Sequence, residues 1–284
     1  MKAPVDLHIH SRYSDGTFAP AELVVMASGQ GFKAIAIADH DSISGIDEAI
    51  AAGAINGVEL IPAVELSIAI KGHHDVHLLA YFINHHDGNF NDRLNSFRHR
   101  RDQRGQEILA RINDKLASEG KFGINFDEVA KTSDGSLGRP HIARVMLARG
   151  YVTDMNDAFD NYLIPCNLPK EYFPADDAIR EIHRIGGVAV LAHPTTISKD
   201  RTVQREVIGM MVALGLDGIE AYNTLATIDD SEFLLAIARR HNLVVTGGSD
   251  FHGNDGETRL GIRENRFPLD YRLVESLRKR ILGR

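Results

Sequence analysis

The chain has 284 residues, 43% of them hydrophobic and 25% charged. That is ordinary globular composition, with length enough for a well-buried core in one large α/β domain or two smaller ones. A net charge of -7 with histidine neutral argues against a protein that coats long nucleic acid, which needs many Lys and Arg phosphate contacts, but leaves room for a small anionic substrate held by local positive charge. Cys166 is the single cysteine, so an intrachain disulfide is excluded. With no signal-peptide stretch and no run of membrane length, the expectation is a cytoplasmic protein with no membrane partner and no obligate protein partner.

Short apolar, β-branched runs alternate with helical patterns. VDLHIH (5–10) reads as a strand, and PAELVVMASGQG (20–31) as a helix with Pro20 at its start and Gly31 past its end. KAIAIADH (33–40) is a second strand, SGIDEAIAAGAIN (44–56) a second helix, GVELIPAVELS (57–67) a third strand and DVHLLAYF (75–82) a fourth. Between 84 and 175 the rhythm breaks into a long helical pattern and two further helices split by a Gly-rich loop. It resumes with a strand at 186–194, a helix at 203–214, a strand at 217–223, a helix at 230–241, a strand at 243–252 and a terminal helix near 270–282. Seven strands alternating with helices predict an α/β fold with a parallel sheet, open or closed into a barrel. The expected division is a barrel from 1–83 and 176–284, with 84–175 as a helical insertion or cap.

Side chains two apart on a strand share a face, so Asp6, His8 and His10 point together. The two imidazoles are suited to hold an ion. Other predicted strands end in Asp39-His40-Asp41, near Glu65, in His193-Pro194, at Glu220 and Asn223, and in Asp250-Phe251-His252. In α/β barrels and open α/β sheets the site forms at the carboxyl ends of the strands, and these ends collect ionisable residues. His77 begins its apolar run rather than ending it, which fits a tolerated strand histidine. Asp15 sits in a Ser14-Asp15-Gly16 turn that explains it without any ligand role. Asp41 is a candidate partner or proton donor beside His40, and Asp6 and Asp39 are candidates to orient ligand imidazoles. His73, His74, His85 and His86 fall in loops, and His99, His183 and His241 on polar helical surfaces.

Taken together, DLHIHSRYSDG, ADHDSISG, PAVELS, DVHLLAYF, LAHP and GGSDFHG resemble, in order, the PHP family of polymerases and histidinol phosphatases. The resemblance implies a distorted (β/α)7 barrel and up to three divalent transition metals, Mn²⁺ first, with Zn or Fe as alternatives. The implied ligands are His8, His10, Asp15, His40, Glu65, His77, His193, Asp250 and His252, all competent donor types. Such a centre activates a water to hydroxide and clamps the attacking and leaving oxygens of a displacement at phosphorus. Asp250, Arg139 and His141 are the expected catalytic residues.

Substrate contacts are expected from Arg101 and Arg104 in FRHRRDQR, Arg139 and His141 in GRPHIARV, Lys170, Asn223, and the metal-side residues Asp15, His40 and His252. The stand-alone form, the helical insertion and GRPHIA look most like the branch that acts on nucleotides or RNA ends. The expected reaction removes the 3′-phosphate of a nucleoside 3′,5′-bisphosphate. Trimming of short RNA from its 5′ end and histidinol-phosphate hydrolysis are the alternatives within the family. A carbon–nitrogen amidohydrolase, which often uses a bridging lysine where this chain has Glu65, and a non-catalytic module fit less well.

Overall fold

The computed structural model describes residues 4–132, 138–253, 260–261 and 269–283. Its elements run β1 (Val5–Ile9), α1 (Pro20–Gly29), β2 (Ala34–Ile37), α2 (Ile46–Asn56), β3 (Glu59–Leu60), β4 (Ala63–Ile70) and β5 (His73–Tyr81). There follow α3 (Gly88–Ser118), α4 (Phe126–Ala130), α5 (Arg139–Ala148), and α6 (Met155–Ala158) running into a π-helical turn (Phe159–Leu163). The chain closes with β6 (Phe173–Pro174), α7 (Ala175–Arg184), β7 (Val188–Leu191), α8 (Arg201–Ala213), β8 (Gly218–Asn223), α9 (Ile228–His241), β9 (Val244–Gly248) and α10 (Arg272–Leu282). The fold is α/β, as the alternating pattern predicts. The Gly-rich loop expected before Arg139 lies largely outside the described residues.

The strands form two hydrogen-bonded sheets, β1-β2-β3 and β6-β4-β5-β7-β8-β9. Two isolated parallel bridges, Ile9 to Phe251 and His40 to Glu65, join them just beyond the ends of β1 and β2. Seven strands (β1, β2, β4, β5, β7, β8, β9) are thereby linked in a distorted ring without one continuous closed ladder. Gly248 makes the β9–β1 junction possible: a Cβ there would lie 2.3 Å from the His8 Cβ and 2.5 Å from its backbone nitrogen.

Two expectations are corrected. The sheet is not all parallel, because β5 runs antiparallel to both β4 and β7. The predicted third strand is two: Pro62 has no N–H to offer a ladder, so β3 stops before it and β4 begins after it. β4 and β5 also run further than expected and meet across the turn at Lys71 and Gly72, so His73 and His74 are strand residues rather than loop residues.

Ring strands are buried because helices cover them. Val64, Leu66, Leu78, Ala189 and Ile219 pack with Ile179 and Ile182 of α7 and with Val207, Ile208 and Met211 of α8. Val5, Leu7, Leu79, Val188 and Val190 pack with Val274 and Leu277 of α10. α3 serves two cores. Phe90 and Leu94 near its start join the barrel core, whereas Ile108, Leu109, Ile112 and Leu116 near its end join Ile142, Met146, Tyr162 and Leu163 in a separate cluster. The helix thus spans from the barrel wall to the middle of the 84–175 segment, and no helix among the described residues is long and apolar enough to cross a membrane.

Candidate metal centre

β1 delivers His8 and, one residue past its end, His10; both are fully buried. Their Nε2 atoms face each other at 3.1 Å. The His8 Nδ1 lies 3.0 Å from Glu220 Oε1 on β8. A neutral imidazole has one N–H, so a proton held at Nδ1 by Glu220 leaves the His8 Nε2 lone pair bare.

Glu65 on β4 is the hub. Its Oε2 lies 3.4 Å from His8 Nε2, 3.3 Å from His10 Nε2 and 3.0 Å from His40 Nδ1. Its Oε1 lies 3.1 Å from His77 Nδ1 and 2.9 Å from His193 Nε2. Five imidazoles thus converge on a carboxylate with about four lone-pair sites. His40 Nδ1 and Glu65 Oε2 approach closely, yet both are buried atoms without hydrogen-bond geometry. Asp250 Oδ1 stands 3.5 Å from His8 Nε2 and 3.2 Å from His10 Nε2. Asp15 stands 3.3 Å from His252 Nε2 and 3.8 Å from both His10 Nδ1 and His40 Nε2. So many ring nitrogens and carboxylate oxygens converging at these separations suit a set of ligands around cations.

Three sets are each spaced to hold an ion: His10, Asp15, His40 and His252; His8, His10 and Glu65; and His40, Glu65 and His77. These sets take in seven of the nine residues named in the sequence, including Asp15 and His77, which pattern alone left undecided; His193 joins them through Glu65, and Asp250 through His8 and His10. His77 does so because β5 is antiparallel, which brings the start of its apolar run to the ring end that carries His40 and His193.

The electrostatics are mutual. Burial pulls the His10 imidazole down, but Asp250 and Glu65 outweigh it and hold it up at about 10. Burial pulls His8 down too, and the carboxylates of Glu220, Glu65 and Asp250 raise it well above the usual histidine range. Burial pushes Glu65 up, yet His40, His77 and His8 bring it well below the ordinary glutamate value. Burial likewise opposes and nearby imidazoles overcome it at Asp15 and Asp250, both held well below the usual range. His40, by contrast, yields to burial and falls to about 4.

The backbone is bent where these groups are presented. His193 (φ 24°), Asp250 (φ 56°) and Asp41 (φ 52°) occupy the left-handed region, uncommon for residues with a Cβ. Such strain persists where the surroundings fix it and concentrates at functional sites.

Expected supporting roles are redistributed. Asp39 accepts hydrogen bonds from Ser11 N, Ser11 Oγ and Ser14 Oγ, and reaches His10 only through Ser14. Asp6 accepts from Ser249 N, Ser249 Oγ and Gly261 N. Both carboxylates fix the loops that carry ligands rather than an imidazole. The carboxylate that does orient an imidazole is Glu220, which also accepts from His193 N and Asn223 Nδ2. Its place at a strand end was visible in the sequence; its partners were not. His183, expected on a polar surface, is half-buried and lies 2.9 Å from Asp217.

A cavity of about 400 Å³ opens over the centre, lined by His40, Glu65, His74, His77, His193, Asp250 and His252 among others. His74, stacked near Tyr172, is a lining residue the sequence did not single out. A second cavity of about 140 Å³ joins Asp15, His40 and His77 to Arg101, Arg104, Arg139 and Lys170. The cations of the 84–175 segment therefore stand beside the centre. Arg101 pairs with Asp41 at 3.2 Å, Lys170 donates to Ser67 Oγ, and Arg104 donates to Leu168 O and Asn167 Oδ1. His141 is buried, its Nδ1 accepting from Gly138 N, and burial lowers it to about 4, so it stays a neutral imidazole. Asn223 is turned inward on Glu220. A separate surface trio, Asp47, His85 and His86, is also spaced to hold an ion.

A ring of strands with histidines and carboxylates packed at its ends defines the metal-centred α/β barrels as a class. The chain belongs to the PHP domain family, whose pattern matches residues 6–184. It is 32% identical to a 3′,5′-nucleoside bisphosphate phosphatase of Chromobacterium violaceum over 99% of this chain and 98% of that one. It is 34% identical to a 5′-3′ exoribonuclease of Haemophilus influenzae, with 92% and 94% covered. A solved structure of an amidohydrolase from Chromobacterium violaceum, with bound sulfate and no metal, superposes with a TM-score of 0.85 at 31% identity, covering 98% of this chain and 97% of that one.

Proposed function

We propose that the protein is a metal-dependent phosphoesterase that removes the 3′-phosphate of nucleoside 3′,5′-bisphosphates. The observation that carries this reading is the cavity in which candidate metal ligands and four basic side chains line one wall-to-wall space. A substrate with two phosphates fits a site with two anion-attracting ends. The full-length likeness to a bisphosphate phosphatase supports the same chemistry.

In this reading His8, His10, Asp15, His40, Glu65, His77, His193, Asp250 and His252 hold up to three divalent ions, Mn²⁺ first, with Zn or Fe as alternatives that the mixed imidazole and carboxylate set suits equally. When bound, such ions would supply the chemistry of water activation and charge neutralisation at a phosphoryl group. The chain's own residues do the rest. Glu220 fixes the tautomer of His8. Arg101, Arg104, Arg139 and Lys170 attract the second phosphate, and His141, buried behind them and kept neutral, adds no charge. Residues 84–175 act as the cap that brings these groups over the barrel of 1–83 and 176–284.

The Haemophilus influenzae relative favours a second reading, attack on the 5′ end of short RNA. A phosphate-release assay with Mn²⁺ across adenosine 3′,5′-bisphosphate, short 5′-phosphorylated RNA and histidinol phosphate separates the readings. The bisphosphate is expected to turn over with the highest kcat/KM. Replacing both Arg101 and Arg104 by Ala is expected to raise KM for the bisphosphate by roughly a hundredfold, about tenfold per lost charged contact, and to affect a monophosphate ester far less. Equal effects on both substrates would remove the two-phosphate reading.

A further inference from the structure

A buried carboxylate stands beside the cations expected to bind the second phosphate. Asp41 is buried, follows His40 directly, and lines a neighbouring cavity of about 270 Å³ that shares Arg101, Arg104 and Lys170 with the cavity beside the centre. In an anion site a carboxylate repels the ligand, so its presence needs a physical reason.

The hydrogen bonds supply one. Asp41 N donates to Glu65 O at 2.9 Å, which ties the end of β2 to the hub of the centre. Its Oδ1 accepts from Ser67 N at 2.9 Å and its Oδ2 from Ser67 Oγ at 3.1 Å, two residues beyond Glu65 on β4. The same Oδ2 accepts from Arg101 Nη1 at 3.2 Å, and Ser67 Oγ accepts from Lys170 Nζ at 2.8 Å. Arg101 comes from α3 and Lys170 from the chain just before β6, so two distant cations of the 84–175 segment meet at one carboxylate rooted in the barrel. Arg101 is also boxed in from the other side: a Cβ on Gly138 would lie 3.0 Å from its Nη2.

We infer that Asp41 is a positioning residue that fixes Arg101 directly, and Lys170 through Ser67, at a set distance from the metal centre, and so sets the specificity for a substrate with a second phosphate. This rests on the bisphosphate reading. Arg and Lys side chains lose considerable rotamer freedom when they bind, and a partner that holds them in place beforehand removes part of that cost. The carboxylate sits too near the cations to be neutral in effect. If it merely competed for Arg101, removing its charge would strengthen substrate binding; if it positions Arg101, removing it weakens binding. The sign of the change decides.

Asp41→Asn is a suitable test because asparagine tolerates the left-handed backbone found there, φ 52°. The measurement is steady-state kinetics of the metal-loaded enzyme on adenosine 3′,5′-bisphosphate and on adenosine 3′-monophosphate. Asp41→Asn is expected to raise KM for the bisphosphate about tenfold, the scale of one charged hydrogen bond, with kcat changed by less than about threefold and monophosphate KM by less than about twofold. Ser67→Ala, which removes the hydrogen bond from Lys170 and leaves the Arg101–Asp41 pair, is expected to move the same KM in the same direction by less. A bisphosphate KM that falls or stays level in Asp41→Asn overturns the positioning role, as does a loss of kcat equal on both substrates. If the unaltered enzyme shows no preference for the bisphosphate, the reading beneath it fails instead, and that is seen before any variant is made.

Discussion

Glu65 and Glu220 divide the work at the heart of the site. Glu65 faces five imidazoles, whereas Glu220 faces one and fixes which of its nitrogens is bare. Partners of this kind set ligand orientation and basicity, and their loss costs roughly 10–100-fold in metal affinity or activity. Glu220→Ala is therefore expected to weaken metal binding by about that factor in a calorimetric titration with Mn²⁺, with the fold retained by circular dichroism. Unchanged affinity would mean that His8 needs no such support. The histidines of β1 were legible in the sequence because period two puts them on one face. Glu220 was legible only as a polar strand end, since its contact with His8 spans 212 positions. Asp15 is a similar case: a turn explains it locally, and only the folded ring brings it to His10, His40 and His252.

Among the elements, α3 connects the barrel to the cations. Its long helical pattern was plain from sequence, and so were most ring strands, because each follows a local periodicity. The direction of β5 was not, since an antiparallel strand and a parallel one share the same alternation. The start of α3 is held by Asp87, which accepts from Phe90 N as the helix cap and pairs with Arg184 of α7. Arg184 and the Phe90 amide hold the Asp87 carboxyl down at about 2. A carboxyl depressed in the folded state adds stability that is complete above its unfolded value of 3.8 and disappears as pH falls through about 2. Asp87→Asn keeps a good cap and removes only the charge. Its Tm is expected to lie modestly below that of the unaltered protein near pH 7, as suits an exposed pair, with the gap closing as pH falls from about 4 toward about 2. A gap that is constant across that window would show that the Arg184 pair contributes nothing.

At the scale of the whole molecule, a ring of seven strands gathers donors from across the chain, and the helical segment between β5 and β6 sets cations beside them. The ring was readable from alternation of strands and helices; the joining of its two sheets at Ile9–Phe251 and His40–Glu65 was not, because it depends on single bridges rather than on any repeating pattern. The donors come from β1, the turn at Asp15, the end of β2, β4, β5, and the segments after β7 and β9, so the centre exists only when the whole ring is folded. The most direct measurement is phosphate release from adenosine 3′,5′-bisphosphate by enzyme stripped with a chelator and then titrated with Mn²⁺, with bound metal counted at each step. Stripped enzyme is expected to be inactive, and activity is expected to return in proportion as up to three ions fill. Release that persists in the stripped enzyme, or ions that bind without restoring release, would contradict a metal-dependent phosphoesterase built on these nine residues.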